Sequence, residues 1–377
     1  MMKKYLFSFA VLMMGATLLT ACSDDDDDKK SDPVYVPVDV SNGIFVVGSG
    51  NTKAGIGGNL TYVDYAKGTA TQNAFESVNG KALGQTANKA LVYGQKLYIV
   101  VDKEATIWVC DKNTLKVQKQ ISTTGLLGET EGVSPRSVVG SGDNIYFTTY
   151  GGVVAAVDTV SFNLVKKYQA GSYPDGLVVV GNYIYTANSD YGMGMNPSIS
   201  KIDITTGTTT EIKDEVITNP MHMLAVGSDV YYLDYGTYDT NWNQTGAGVR
   251  KITAAGKVSK VVDGTAMCTD GKKIYTVNAP YGGSGIQYYI YDIATGATTT
   301  WEPADVFSPA CIAADPVSGD IFVVSYQKNP DTGYAGYALP SYMNQYKANG
   351  TFVTKYNCVV GPIDVVFNTG VEYVEQK

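Results

Sequence analysis

The sequence predicts an all-β fold, a seven-bladed β-propeller whose ring is closed by the C-terminal strand pairing into the N-terminal blade. Three landmarks that recur along the 377 residues predict it. In the first, an aliphatic residue precedes an aromatic one inside a short β-rich run, and successive aromatics lie 39–53 residues apart. Such a period is typical of blades with four short strands. The seven pairs are Ile44-Phe45, Leu97-Tyr98, Ile145-Tyr146, Ile184-Tyr185, Val230-Tyr231, Ile274-Tyr275 and Ile321-Phe322.

The second landmark follows each pair and is a polar turn between two strands. Five of its seven copies open with aspartate, whose carboxylate can accept backbone N–H groups of the turn. We therefore interpret these aspartates as structural rather than catalytic. The opening residues are Asp64, Asp111, Asp158, Asp203, Thr253, Asp292 and Lys347.

The third landmark precedes each pair and opens an apolar strand. Its copies are Pro135-Arg-Ser, Pro174-Asp-Gly, Pro220-Met-His, Pro309-Ala-Cys and Pro362-Ile-Asp, with Ala87-Asn-Lys and Ala266-Met-Cys as degenerate versions. The last copy has no comparable aromatic pair after it, and the first pair has no good proline-containing strand before it. The C-terminal strand is therefore predicted to complete the N-terminal blade, and residues 34–377 are predicted to form one domain.

The N-terminal region predicts a lipoprotein. Residues 1–21 are predicted to be a signal peptide, because a basic start precedes an apolar run too short to span a membrane. The ending Leu19-Thr-Ala-Cys22 resembles a bacterial lipobox, which implies cleavage before Cys22 and a lipid on its thiol. Residues 22–33 are predicted to be a flexible tether, since the carboxylates of Asp24–Asp28 repel one another. This acidic run also resembles the surface-export signal of Bacteroidetes lipoproteins. A plain secreted protein, or a spacer without a signal, is the alternative.

Composition narrows the chemistry that the chain can perform. A formal charge of −8 disfavours a nucleic-acid partner, which needs clustered Lys and Arg. A single histidine, His222, removes zinc sites with two histidines and relays with two imidazoles. The loops at Asp239 and Gly50 depart from the calcium-loop and phosphate-loop patterns. Because no nucleophile–base pair stands out, we expect no enzymatic activity, no catalytic residue, no catalytic cofactor and no metal.

The candidate ligand site lies on the propeller face that carries the loops between second and third strands and the connections to the next blade. These segments are rich in Tyr, Trp, Asn and Gly, a composition that binding surfaces favour. Packing between blades is the alternative for part of these aromatics. The candidate residues are Arg136, Tyr150, Tyr173, Asp175, Tyr191, Met221, His222, Tyr235, Tyr238, Trp242, Tyr281 and Tyr326.

Four residues align on successive inner strands around the predicted channel mouth: His222, Cys268, Cys311 and Asp364. This ring could hold a metal, the two cysteines could form a disulfide, or their thiols could be free. Sequence alone leaves open whether His222 contacts a ligand, such as a cobalt centre. The pairing also stays open among Cys110, Cys268, Cys311 and Cys358.

The strand pattern that ends in Asp-x-x-Thr-Gly, preceded by Pro174-Asp-Gly176, resembles YVTN-type propellers. With the lipobox, the acidic run and seven units, the mature chain resembles the Bacteroidetes surface lipoproteins of the BtuG type. This resemblance implies a protein held by its lipid alone on the cell-surface side of the outer membrane. It would capture vitamin B12 (cobalamin) or another corrinoid and deliver it to a TonB-dependent transporter of the BtuB type. Alternatives are capture of a ferric siderophore, haem or a glycan, or a protein-interaction propeller. Lactonase or lyase chemistry is the least favoured.

Overall fold

The computed structural model describes residues 34–189, 196–283 and 285–376. The predicted signal peptide (1–21), Cys22, the tether (22–33) and Tyr191 lie outside the described residues. Within the described ranges, no helix is both long enough and apolar enough to span a bilayer.

The described residues form mostly β-strands. The strands up to residue 212 are β1 (Tyr35–Gly48), β2 (Asn59–Asp64), β3 (Thr69–Thr71), β4 (Ala87–Tyr93), β5 (Lys96–Val101), β6 (Thr106–Asp111), β7 (Val117–Ser122), β8 (Pro135–Ser141), β9 (Asn144–Thr149), β10 (Val153–Asp158), β11 (Leu164–Gln169), β12 (Pro174–Val180), β13 (Tyr183–Asn188), β14 (Ser198–Asp203) and β15 (Thr209–Ile212). Two short helices, α1 (Ala74–Asn79) and α2 (Thr123–Leu127), and a 3-10 helix, Thr52–Ala54, lie in connections.

The remaining strands complete the all-β architecture. They are β16 (Pro220–Val226), β17 (Asp229–Asp234), β18 (Thr237–Tyr238), β19 (Gln244–Thr245), β20 (Gly248–Ile252), β21 (Val258–Asp263), β22 (Ala266–Thr269), β23 (Lys273–Asn278), β24 (Gln287–Asp292), β25 (Thr298–Thr300), β26 (Ser308–Ala314), β27 (Ile321–Tyr326), β28 (Pro340–Tyr346), β29 (Phe352–Val360) and β30 (Pro362–Glu375).

Within the described residues, these strands form seven four-stranded antiparallel sheets and one two-stranded ribbon, β18–β19. Sheet 1 has the order β30-β1-β2-β3, so the C-terminal strand takes its first position. The other sheets use strands in chain order: sheet 2 is β4–β7, sheet 3 is β8–β11, sheet 4 is β12–β15, sheet 5 is β16, β17, β20 and β21, sheet 6 is β22–β25, and sheet 7 is β26–β29.

The outer ends of β1 and β30 belong to a small unit of their own, described at residues 34–38 and 373–376. In it, the Gln376 backbone N–H donates to the Val34 carbonyl over 2.7 Å. Residues Asp39–Glu372 form the larger unit, which contains the cores and the candidate site.

The apolar interior of the larger unit lies between sheets. Each core is shared by two sheets that are consecutive in the chain. A further core joins sheet 7 to sheet 1, where Phe322 and Val324 pack with Ile44 and Val46. Stability therefore depends on every sheet being buried on both faces, with each buried aliphatic or aromatic side chain contributing about 1.5–3 kcal/mol.

The recurrent aliphatic–aromatic pair lies on the second strand of every sheet and explains this packing. Adjacent residues of a strand point to opposite faces. Leu97 accordingly packs in the core shared with sheet 1, and Tyr98 packs in the core shared with sheet 3. All seven pairs divide in this way between the preceding and the following core. The pair is thus the sequence signature of a strand buried on both faces.

The five turn aspartates are structural, as predicted. The Asp111 carboxylate accepts the backbone N–H groups of Asn113 (3.0 Å) and Thr114 (2.8 Å). These hydrogen bonds, chiefly that from Thr114, lower the pKa of Asp111 below its ordinary 3.8. The same turn geometry recurs at the other four positions, Asp64, Asp158, Asp203 and Asp292.

We expect Asp111→Ala to lower the free energy of unfolding at pH 7 and to have progressively less effect below about pH 4. Because the folded-state pKa is depressed, the contribution is complete above the unfolded pKa and is lost as the pH falls through the folded one. Urea unfolding between pH 7 and pH 3 measures it. Asn349→Ala is the control, since this neutral side chain accepts the Thr351 N–H in the matching turn of sheet 7. If Asp111→Ala lowered the free energy of unfolding equally at all pH values, the role of the ionised Asp111 carboxylate as the acceptor in this turn would be contradicted.

Candidate functional site

Four of the predicted site residues, Arg136, Asp175, Met221 and His222, lie in β-bulges at the start of first strands. Between the pairs Pro135–Thr149 and Val138–Phe147, two residues of β8 face one residue of β9. The same irregularity occurs at 174–177 in β12 and at 220–223 in β16. Bulges redirect side chains and are common beside functional sites. The proline landmark therefore marks a bulge, in which Arg136 and Asp175 directly follow the proline and His222 is the second residue after it.

Arg136 is the centre of a largely buried ion network. Its Nε donates to Asp175 Oδ2 over 2.9 Å, and its Nη1 donates to Asp102 Oδ2 over 3.2 Å. The guanidinium carbon lies 4.6 Å from the centre of the Tyr150 ring, and the Tyr150 hydroxyl donates to Asp175 over 3.1 Å. The Tyr173 ring meets Tyr150 edge-on at 5.5 Å. These contacts bring four predicted residues together and fix the guanidinium in one orientation.

The electrostatics of the network favour its ionised form. Burial raises the pKa of Asp175, but Arg136, His222 and the Tyr150 hydroxyl together lower it by more, so the net pKa lies below the ordinary 3.8. Burial lowers the pKa of Arg136, and Asp175, Tyr150 and Asp102 together more than compensate. The Tyr150 pKa is raised by burial and then by Asp175, which keeps the phenol protonated as a donor. The network therefore persists as an ion pair at neutral pH.

His222 lies beside this network and bonds to Tyr235. Its Nε2 is 3.2 Å from the Tyr235 hydroxyl. Burial lowers the His222 pKa below its ordinary 6.5, although the Asp175 carboxylate opposes this shift, so the imidazole is neutral at pH 7. A Cβ on Gly176 would come within 2.4 Å of the Met221 carbonyl and 2.8 Å of the His222 Cα. Glycine is therefore required for the close approach of β12 that positions His222.

First strands of several sheets enclose a cavity of about 440 Å³ next to His222. At the strand starts, Lys89 Nζ lies 2.7 Å from Asp364 Oδ1, while the other oxygen of Asp364 accepts the Ala90 N–H over 2.9 Å. His222 interacts electrostatically with both charges. We call the set Asp102, Arg136, Asp175, His222, Lys89 and Asp364 the polar floor.

Three of the remaining candidates form an exposed group that we call the aromatic arm: Tyr238, Trp242 and Tyr281. The rings of Tyr238 and Trp242 lie 6.2 Å apart, and Trp242 is 60% exposed with a left-handed backbone at φ 65°. Such a conformation is strained for tryptophan and persists where its surroundings enforce it. Here the Asp239 carboxylate enforces it by accepting the N–H groups of Asn241 and Asn243, both at 2.8 Å.

Gln244 joins the aromatic arm to the polar floor. Its backbone N–H and its side-chain oxygen both bond to the backbone of Tyr281, at 2.8 Å and 3.1 Å. Its side-chain nitrogen donates to the Tyr235 carbonyl over 2.8 Å, and Tyr235 in turn contacts His222. The aromatic arm is therefore linked by hydrogen bonds to sheets 5 and 6 and, through Tyr235, to the polar floor.

The other two described candidates are more enclosed. Met221 is 8% exposed and packs as an interior residue of the β16 bulge. Tyr326 is half-buried and meets Tyr337 edge-on at 4.8 Å, and burial, with Cys311 next, raises its pKa to about 12. The hydrogen bonds of Arg136 and Asp175 described above involve neither Met221 nor Tyr326.

Sequence reasoning missed Lys89, Asp102 and Asp364 as site residues. Lys89 stands in the degenerate copy of the proline landmark, beside a register irregularity, and its alignment with His222 is a signal that could have found it. Asp364 aligns with His222 in the proline landmark, but this alignment was interpreted only as a set of metal ligands. Asp102 belongs to none of the recurrent landmarks. The one indication of its role is that a buried Arg136 needs a second hydrogen-bond acceptor.

The cysteine alternatives are resolved in favour of free thiols. Cys110, Cys268, Cys311 and Cys358 are all unpaired with one another. Cys268 packs against the core between sheets 6 and 7, and Cys311 packs in the core between sheets 7 and 1, so a disulfide between them is wrong. Within the described ranges, no three His, Cys, Asp or Glu side chains are grouped so that they could hold a metal ion.

Residues 42–359 match the family model described as a domain of unknown function, DUF5074. The chain belongs to the DUF5074 family. No curated protein matches its sequence.

Solved structures similar to this DUF5074 chain share its all-β, propeller-like fold. A candidate 6-phosphogluconolactonase from Bacteroides uniformis is 14% identical, with a TM-score of 0.56, and the match covers 87% of this chain and 100% of that one. A candidate 6-phosphogluconolactonase from Bacteroides fragilis is 14% identical, with a TM-score of 0.55 and coverage of 87% and 98%. Hydrazine synthase from Kuenenia stuttgartiensis is 16% identical, with a TM-score of 0.51 and coverage of 75% and 93%. At these identities the similarity concerns the fold alone.

Proposed function

We propose that this protein captures a corrinoid, with vitamin B12 as the first candidate, and delivers it to a TonB-dependent outer-membrane transporter of the BtuB type. The observation that carries the proposal is the recessed polar floor joined through Gln244 to an exposed aromatic arm. A corrinoid is large and amphipathic and carries amides around its edge. It therefore suits a broad surface that offers aromatic contact area beside hydrogen-bonding groups.

The architecture that we propose for this role is a closed seven-bladed β-propeller. Two observations support closure: β30 lies next to β1 in sheet 1, and one core is shared by sheets 7 and 1. In a closed ring the first strands surround one axis, so that bulges of several sheets can contribute to one site. Lys89, Arg136, Asp175 and His222 come from four different sheets.

We also propose that the protein is anchored by a lipid on Cys22 and displayed on the outer face of the outer membrane. The support is the lipobox-like ending at Cys22 and the acidic run that follows it. In this location the tether of residues 22–33 would separate the binding domain from the membrane surface and leave it free to meet a transporter.

Hydrolysis of a sugar lactone is a second candidate, suggested by the names of two structural neighbours. The neutral imidazole of His222 has the protonation state that a general base requires. However, Arg136 and Lys89 are already paired with carboxylates, so the polar floor would attract a phosphorylated sugar poorly. This pairing favours the binding function.

We expect the soluble chain of residues 23–377 to bind cyanocobalamin with one-to-one stoichiometry. Titration calorimetry and visible absorbance measure the heat and the spectral change. Parallel titrations use haem, a ferric siderophore and a neutral oligosaccharide, and a coupled assay tests hydrolysis of 6-phosphogluconolactone. Absence of heat with cyanocobalamin at high protein concentration would contradict the corrinoid proposal. Turnover of the lactone that is lost in His222→Ala would replace it with the second candidate.

A further inference from the structure

The charges of the polar floor do not cancel. Three carboxylates, on Asp102, Asp175 and Asp364, face two cations, on Arg136 and Lys89. The remaining titratable group is His222, which burial keeps neutral at pH 7. The floor therefore carries a net charge of about −1, and its partly buried position limits screening by water.

Both cations of the floor are occupied by carboxylates. Arg136 uses Nε and Nη1 for Asp175 and Asp102, and its flat face covers Tyr150. Lys89 Nζ bonds to Asp364, whose second oxygen is held by the Ala90 N–H. A ligand anion would have to displace one of these carboxylates or lie beside them, and both arrangements are unfavourable in a partly buried site.

We infer that the polar floor selects ligands with neutral amide arms over ligands with carboxylate arms, and that Asp364 and Lys89 determine this selectivity. The inference rests on the proposed function and specifies the ligand class as a fully amidated corrinoid. A primary amide can donate to Asp364 and accept from Lys89, so it can join the pair without removing either partner. A carboxylate has no N–H to donate and places a second negative charge next to Asp364.

The position of this pair makes it suited to meet a ligand. Lys89 and Asp364 line the cavity, and their side chains are 37% and 11% exposed. Asp102 and Asp175 bond to Arg136, and none of these three residues lines the cavity. The two groups of charges thus differ in their access to the cavity: the Arg136 network supports the floor, and the pair of Lys89 and Asp364 is placed to contact the ligand.

The experiment compares cyanocobalamin with its monocarboxylic acids, in which one propionamide is replaced by a carboxylate, using the soluble chain of residues 23–377. At low salt we expect at least one of these acids to bind at least about tenfold more weakly than the parent, as expected for like charges in a partly screened site. The difference should shrink at high salt. Asp364→Asn should reduce the discrimination, and Lys89→Met should increase it.

The controls separate charge from folding. Asp64→Asn removes the same charge from a turn at the other end of sheet 1 and should leave the ratio of affinities unchanged. Thermal unfolding checks that each variant is folded. Equal binding of the parent and all of these monocarboxylic acids at low salt would overturn the inference while leaving the proposed function in place. Discrimination that is the same in Asp364→Asn and in Lys89→Met as in the natural chain would overturn the assignment to this pair. Failure of the parent compound to bind would instead reject the proposed function.

Discussion

Arg136→Ala is expected to lower the free energy of unfolding by about 3–5 kcal/mol at pH 7, the cost of leaving a buried charge without its partner. The charge left behind is Asp175, whose residue is 3% exposed and whose carboxylate then keeps only the Tyr150 hydroxyl among the contacts described above. Asp102 loses the same guanidinium. Urea unfolding, with the slope checked for two-state behaviour, measures the effect.

The pH dependence of this variant gives a second test. In the natural chain the pKa of Asp175 is depressed, so its contribution is complete above the unfolded pKa and is lost as the pH falls through the folded one. Without Arg136, we expect burial, which is the largest influence on Asp175, to raise its pKa, so that protonation relieves the penalty. The destabilisation should therefore be largest near pH 7 and should shrink toward pH 4.

Two matched variants separate burial from simple loss of an ion pair. Lys213→Ala removes a partner from the exposed pair with Glu211 and should cost no more than about 1 kcal/mol. Adding Asp175→Asn to Arg136→Ala removes the stranded charge and should recover part of the stability, which a double-mutant cycle quantifies. Equal costs for Arg136→Ala and Lys213→Ala would show that the network adds nothing beyond a surface pair.

The sequence was sufficient to predict the repeated elements because their signals are local. The aliphatic–aromatic pair and the turn aspartate each act within a few residues, and both have the predicted structural roles. The site depends on longer separations. Lys89 and Asp364 are 275 residues apart and meet across sheets 1 and 2, so no pattern within one repeat reveals them as partners.

The cysteine alternatives could not be decided for a similar reason. Alignment on the proline landmark placed Cys268 and Cys311 at equivalent positions, which suggested proximity. Both side chains nevertheless point toward the following sheet: Cys268 packs against the core between sheets 6 and 7, and Cys311 packs in the core between sheets 7 and 1. Sheet 7 therefore lies between the two thiols. The sequence pattern aligned the two residues but did not show which core each thiol enters.

Trp242→Ala is expected to weaken cyanocobalamin binding by about 30-fold or more, the loss of about 2 kcal/mol typical of an aromatic hot spot. The ring is 60% exposed, yet its backbone is held in a strained left-handed conformation by Asp239 and Asn243. A side chain that contributes little to the core has no folding reason to be held in this way. Under the proposed function, ligand contact would supply the reason, because a preorganised ring loses little freedom on binding.

Backbone strain and ring contact can be distinguished by a second substitution at the same position. Glycine adopts positive φ at no steric cost, so Trp242→Gly should be more stable than Trp242→Ala while binding equally weakly. Trp242→Phe should retain part of the affinity. Tyr183→Ala is the control, since Tyr183 is 39% exposed, like Tyr238, but opens β13 at the end opposite its second-to-third-strand loop. Calorimetry on this series measures the affinities. Full affinity in Trp242→Gly would remove the aromatic arm from the site and confine ligand contact to the polar floor.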